Sequence, residues 1–373
     1  MNSSKTVPTP VRLPSLTGLR FLAAFLVFFC HSSMQGFYGD RDVAKVLAGL
    51  GIGAGWLGVS FFFVLSGFVL TWSARPDDSA WRFWLRRLVK IYPNHLVVWI
   101  SAIVLALILG ANGEITVGKT VPSLFLVHAW VPDVEVINAL SVPSWSLSCE
   151  VLFYLCFPLL LRLVNRIDVR RLWLAAGGVA LLIPLIPALS EVFLPREPKM
   201  PWFPMSVWDY WAVYTFPCVR LLEFALGVLL ARIVVTNRWI DIPVVPAVGA
   251  LVVGCVVQWM MVPSSWAMVV PTVIPLALVI GAFAAADARG RVTFLCGRPM
   301  TWLGRISFAM YLIHLVVLHF GGMIVGKAWS TPAALALQVL FLAITVGLSW
   351  LLYSTVEKPM VLRLGVRELT PRV

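Results

Sequence analysis

Ten apolar runs constrain this chain more than any other feature. A membrane span needs roughly 20 apolar residues, and runs of that kind fall near 17–36, 54–73, 93–110, 144–163, 172–192, 210–235, 242–262, 266–286, 304–326 and 332–355. Only 12% of the 373 residues are charged and 60% are hydrophobic, where a soluble protein carries about 25% charged residues. The expected fold is an all-α integral membrane protein, a bundle of about ten transmembrane helices. A shorter apolar piece at 122–131 cannot cross, and it predicts a re-entrant or interfacial segment near 120–131. Prolines within the runs (Pro158, Pro184, Pro187, Pro217 and Pro275) predict kinked helices whose freed carbonyls are satisfied inside the bundle. A glycine-rich approach (Gly49, Gly51, Gly53, Gly55, Gly58) leads into the second run.

Charge sets the orientation. With the N-terminus inside and the 120–131 piece not crossing, the inside segments hold most of the cations. They carry Lys5, Arg12, Arg75, Arg82, Arg86, Arg87, Lys90, Arg162, Arg166, Arg170, Arg171, Arg232, Arg238, Arg289, Arg291, Arg298, Arg305 and the cations from Lys358 onward. Only Arg41, Lys45, Lys119, Arg196, Lys199 and Lys327 then lie outside. A full crossing at 120–131 would invert everything after it. The positive-inside rule therefore predicts a multi-pass protein of the cell inner (plasma) membrane with both termini cytoplasmic. The formal charge of +12 is accounted for by that asymmetry, so the expected partner is a lipid bilayer and not a nucleic acid. The basic, aromatic segment at 75–92 suits an anionic interface. Residues 1–14 read as a cytoplasmic disordered lead, 15–360 as a single transmembrane domain and 361–373 as a cytoplasmic tail. No cleavable signal peptide, appended soluble domain or internal repeat is expected. Six scattered cysteines lack metal-ligand spacing and read as small buried hydrophobes.

Within the first run, Arg20 and His31 stand eleven steps apart. At 100° per residue they project about 20° from one another and roughly 16 Å apart on one helical face. A charge and a titratable base on one face of an apolar helix are expensive to keep there. In the fourth run, Glu150 lies about 9 Å inward of Ser144, and His31 about 7 Å short of its own outer end, by helical rise. Two titratable groups at similar depth form either a base oriented by a carboxylate or an ion pair that pins two helices. In the ninth run Ser307, Tyr311 and His314 share a face at i, i+4 and i+7, as the lining of a polar path or as separately satisfied core groups. His319 is turned away and reads as packing. Arg220 and Glu223, i and i+3, read as a structural or gating pair, and Glu357 either as a helix-end ion pair or as a functional group. Arg20, Arg86, Arg87 and Lys90 would grip the phosphates of a nucleotide-bearing donor, or lipid headgroups.

Taken together, these motifs resemble the integral-membrane acyltransferase 3 family. The likeness is carried by Arg20 and His31, by FFFVLSGF at 61–68 and by RRLVKIYP at 86–93. It continues with WSLSCEVLFY at 145–154, RLLEFALG at 220–227, SFAMYLIH at 307–314 and VEKP at 356–359. The resemblance implies ten spans and transfer of an acyl group from acyl-CoA, acetyl-CoA above all, to a hydroxyl-bearing sugar or small-molecule acceptor such as a macrolide. No permanently bound cofactor or metal is expected. By the same resemblance His31 and Glu150 take the catalytic places, with Arg20 and Arg86 at the donor. His31, oriented by Glu150, would deprotonate the acceptor, while Ser146 or Tyr311 would stabilise the oxyanion. Ser66 is an alternative nucleophile, although a Ser-Gly step also suits close helix packing. A polytopic transporter or flippase for a glycan or small molecule is the rival reading.

Overall fold

The apolar runs form helices, two of the long ones starting at a side-chain cap, Asp40 or Ser79. The computed structural model describes residues 12–75, 78–111, 113, 115–140 and 142–363. The lead expected at 1–14 and the tail at 361–373 lie mostly outside them. Helices α1 (Pro14–Ser33), α2 (Arg41–Trp72) and α3 (Ala80–Ile108) are followed by short α4 (Val117–Leu124) and α5 (Val134–Ile137). Then come α6 (Trp145–Arg166), α7 (Leu172–Phe193), short α8 (Val207–Tyr210), α9 (Pro217–Val235), α10 (Val244–Met261) and α11 (Val270–Ala288). The chain finishes with α12 (Arg298–Val325), α13 (Thr331–Leu352) and α14 (Lys358–Arg363). Among the described residues no strand forms beyond two isolated bridges, Tyr38 to Trp329 and Lys199 to Ser206. The protein is all-α and polytopic.

Nine helices among the described residues are long and apolar enough to cross a membrane. Of the run at 210–235, Pro217–Val235 forms α9, whose 19 residues carry Arg220, Glu223 and Arg232 and so fall outside that set. The piece at 120–131 is too short to cross, as expected: eight-residue α4 and a 3-10 turn at His128–Trp130. Pro158, Pro184, Pro187 and Pro275 lie inside helices, whereas Pro217 begins α9, where its missing N–H needs no partner. Of the cysteines, Cys30 and Cys149 are buried and Cys218 is exposed, so the thiols are not uniformly core groups.

Two features of the sequence change meaning in three dimensions. The glycine-rich approach is itself helical, because Asp40 caps α2 by accepting the N–H groups of Asp42 and Val43. Gly51, Gly55 and Gly58 then face Ser33, Cys30 and Ala23 of α1, leaving room for close contact of the two helices. Similarly, the basic residues Arg82, Arg86, Arg87 and Lys90 lie in the first half of α3, which is capped by Ser79 and continuous through Pro93.

Helix α1 sits at the centre, packed along α2 and α12, while α2 packs along α9. Where α2 and α9 cross, a side chain at Gly67 would run into the Phe224 carbonyl, and one at Gly227 into that of Val64. The glycines of LSGF and RLLEFALG are therefore two halves of one crossing. At its N-terminus α1 is tied to α11: Ser15 donates its N–H and its hydroxyl to the two oxygens of Asp287, at 2.9 and 2.6 Å. At its other end Gln338 of α13 donates to Ser32 at 3.2 Å and accepts from Tyr38 at 2.6 Å.

Candidate active site

His31 occupies the last turn of α1, half-buried, with Nδ1 3.0 Å from the Val27 carbonyl. Its neighbour across the helix interface is fully buried His314 of α12, whose Nε2 is 2.9 Å from the same Nδ1. The two ring centroids are 4.9 Å apart at a 41° tilt. One turn back along α12, Tyr311 shares a hydrogen bond of 2.7 Å with Ser146 of α6 and donates to the Pro143 carbonyl at 3.2 Å. Of the three residues expected on one face of this helix, Tyr311 and His314 join the site. Ser307 spends its hydroxyl on the Gly304 carbonyl, 2.8 Å away.

Below Tyr311 lies a cavity of about 50 Å³ walled by Arg20, Val59, Phe62, Phe63, Ser146, Leu147, Glu150, Phe308 and Tyr311. Arg20 and Glu150 are its charged groups. Glu150 accepts from the Tyr154 hydroxyl at 3.1 Å, and the charges of Lys90, Arg20 and Arg87 bear on it. No hydrogen bond joins Glu150 to His31 among the described residues. Depth explains why. The segment before α6 packs into the bundle, burying Ser123, His128, Ala129 and Ile137. Ser146 already meets Tyr311, about 4.5 Å beneath His314, and Glu150 lies about 6 Å deeper again by helical rise. The carboxylate belongs with the cations, and a second imidazole takes the place beside His31.

The donor cations occupy different settings. Arg87 is buried, its guanidinium 5.6 Å from the Phe83 ring and 6.0 Å from that of Tyr154, a cation–π sandwich. Arg86 is paired with Asp78, so its charge is already partly met. Lys90 is half-buried. Arg220 and Glu223 form a buried ion pair of 2.9 Å. Arg220 also donates to Ser60 of α2 at 3.2 Å and lies over Phe63 and Tyr214. That pair ties α9 to α2 and borders a separate, smaller cavity with Ile183, Pro187 and Val213, away from His31. Buried Glu357 accepts from Asn94 at 2.9 Å.

Two roles escaped the sequence. Tyr154 stands at i+4 from Glu150, the spacing of helix neighbours, and that signal was available. His314 as the partner of His31 had only a weaker signal, since both lie near the middle or outer part of runs directed the same way.

A family model described as an acyltransferase domain (Acyl_transf_3) matches residues 13–354. The chain is 40% identical over 370 residues to Acyltransferase MdmB of Streptomyces mycarofaciens, covering 96% of this chain and 94% of that one. It is 24% identical to O-acetyltransferase OatA of Staphylococcus aureus, over 94% of this chain and 58% of that protein's length. A shorter match, 28% over 163 residues, is to Peptidoglycan O-acetyltransferase OatA of Listeria monocytogenes, covering 39% of this chain and 24% of that one. No solved structure gives a significant match.

Proposed function

Because this chain belongs to the acyltransferase 3 family of membrane enzymes that transfer acyl groups, we propose that it moves a short acyl group from acyl-CoA to a hydroxyl. Acetyl is the first candidate, and the acceptor is a carbohydrate or a glycosylated or macrolide-type secondary metabolite. The observation that carries this reading is the line of polar groups through an otherwise apolar bundle. It runs from Arg20 and Glu150, through Ser146 and Tyr311, to His314 and His31.

Each part has a chemical use. Arg20, with Arg87 and Lys90 nearby and Arg86 at the edge, supplies positive charge for the donor's phosphates. The cavity between Arg20 and Tyr311 holds about 50 Å³, the room of a few waters at roughly 10–15 Å³ each, which suits a short acyl group. His31 takes the proton of the acceptor hydroxyl as the oxygen bonds to the thioester carbonyl carbon. The C–S bond then breaks, and the departing thiolate receives that proton from His31. Ser146 or Tyr311 serves the oxyanion by turning to it the hydroxyl proton that the Pro143 carbonyl accepts in the resting protein. Glu150 acts from the donor side, balancing the cations. Ser66, next to the Gly67 crossing, serves packing. The cation asymmetry supports a plasma-membrane location with both termini cytoplasmic.

The test is transfer of label from acetyl-CoA to a panel of hydroxyl acceptors in membranes containing the protein. His31→Ala should abolish transfer with the protein still folded. Wild-type transfer by that variant would remove His31 from the chemistry, and vesicle uptake of a substrate without any labelled acceptor would favour transport.

A further inference from the structure

His31 and His314 lie 283 residues apart in sequence, and one hydrogen bond joins the half-buried ring of His31 to the fully buried ring of His314. Which ring donates is fixed by three backbone carbonyls. His314 Nδ1 is 2.8 Å from the Tyr311 carbonyl and 3.3 Å from that of Met310. A carbonyl only accepts, so His314 carries its proton on Nδ1, and its Nε2 in the neutral ring holds a lone pair. His31 Nδ1 faces both that lone pair and the Val27 carbonyl at 3.0 Å, so His31 too is protonated on Nδ1. Its Nε2 is left with a lone pair, and among the described residues no hydrogen bond reaches it.

We propose that His314 is the positioning residue of His31, accepting the His31 Nδ1–H so that Nε2 is presented as the base. This rests on His31 being the base of the proposed transfer. The arrangement does what a carboxylate does for a catalytic histidine elsewhere, holding tautomer and ring orientation and stabilising the imidazolium. Here the acceptor is a neutral ring, and among the described residues no carboxylate bonds to either imidazole. A neutral acceptor adds no second buried charge to an apolar site, where an unpaired one is costly. When Nε2 takes the hydroxyl proton, the new positive charge on His31 is shared through Nδ1–H with the His314 lone pair. When Nε2 returns that proton to the thiolate, the pair is restored.

The experiment combines ¹⁵N-histidine NMR of the full-length protein in lipid nanodiscs with steady-state kinetics. The His31 signals should show a proton on Nδ1 in the wild type. His314→Gln can put an amide oxygen near the place of Nε2, whereas His314→Phe fills the volume without an acceptor. The glutamine variant should keep kcat within about tenfold and the phenylalanine variant should lose roughly a hundredfold, the scale of a general-base contribution. KM for the acyl donor should be unchanged in both. A wild-type His31 protonated on Nε2 overturns the proposal, even if His314→Phe does not fold. So does wild-type kcat in a folded His314→Phe, or an equal loss in both variants with the His31 tautomer unaltered. Wild-type transfer by His31→Ala overturns the transfer reading and this proposal with it, while a failure confined to the His314 results overturns this proposal alone.

Discussion

Ser146 and Tyr311, 165 residues apart in sequence, bring their hydroxyls within 2.7 Å and so join the two halves of the site. Glu150 is about one helical turn from Ser146, and His314 about one turn from Tyr311. Tyr311→Phe deletes the hydroxyl but keeps the ring, which packs edge-on to Phe62 at 5.5 Å. If that hydroxyl stabilises the oxyanion, kcat should fall on the order of a hundredfold while the fold is kept. Unchanged turnover in membranes would leave the tyrosine a packing role only.

The size of the cavity sets an expectation about acyl length. Phe62 and Phe308 wall it, so Phe308→Ala should raise transfer from butyryl-CoA relative to acetyl-CoA. A methylene in an apolar pocket is worth about 10–200-fold in discrimination, so a shift of roughly tenfold in the ratio is expected. Competition between the two labelled donors reads it directly, and an unaltered ratio would place the acyl group elsewhere.

Arg20 should matter for binding the donor more than for the chemical step. Arg20→Ala is expected to raise KM for acetyl-CoA about tenfold with a smaller change in kcat, the pattern of lost uniform binding. Arg86→Ala should do less, because Arg86 is already engaged by Asp78. Kinetics of the two variants side by side would reject the assignment if Arg86 proved the more sensitive.

The crossing of α2 and α9 predicts a stability difference between two glycines. Gly67→Ala places a methyl against the Phe224 backbone, whereas nothing lies within 4 Å of a side chain at Gly178. Overpacking costs about 1–3 kcal/mol, so Gly67→Ala should lower the melting temperature in detergent or nanodiscs while Gly178→Ala does not. Equal melting temperatures would mean that the helices yield at the crossing.

The spans were legible because apolar length is a local property, as was the shared face of Arg20 and His31 on one unbroken helix. The partner of His31 was not. Which helices touch depends on where glycines allow close approach, as at Gly304 against Thr17 and Gly18 against Leu295. Relative depth depends on how the segment before α6 packs into the bundle. Counting residues from an assumed rim placed Glu150 beside His31, whereas Glu150 lines a cavity with Arg20 and Tyr311. Likewise three charges hid nothing about α9 in the sequence, but only the structure couples Arg220 to Ser60 and the rings of α2 and the turn before α9.

The ties at the two ends of α1 give the molecule a fixed ruler. Asp287 holds Ser15 at one end, and Gln338 holds Ser32 at the other. Rocking of one half against the other, as alternating access requires, would have to carry α11 and α13 along with α1 or break both ties. On the proposed reading the protein keeps its marks still and the substrates do the travelling. A donor anchored at Arg20 must therefore reach about 16 Å along α1 with its own flexible arm to bring its thioester to His31.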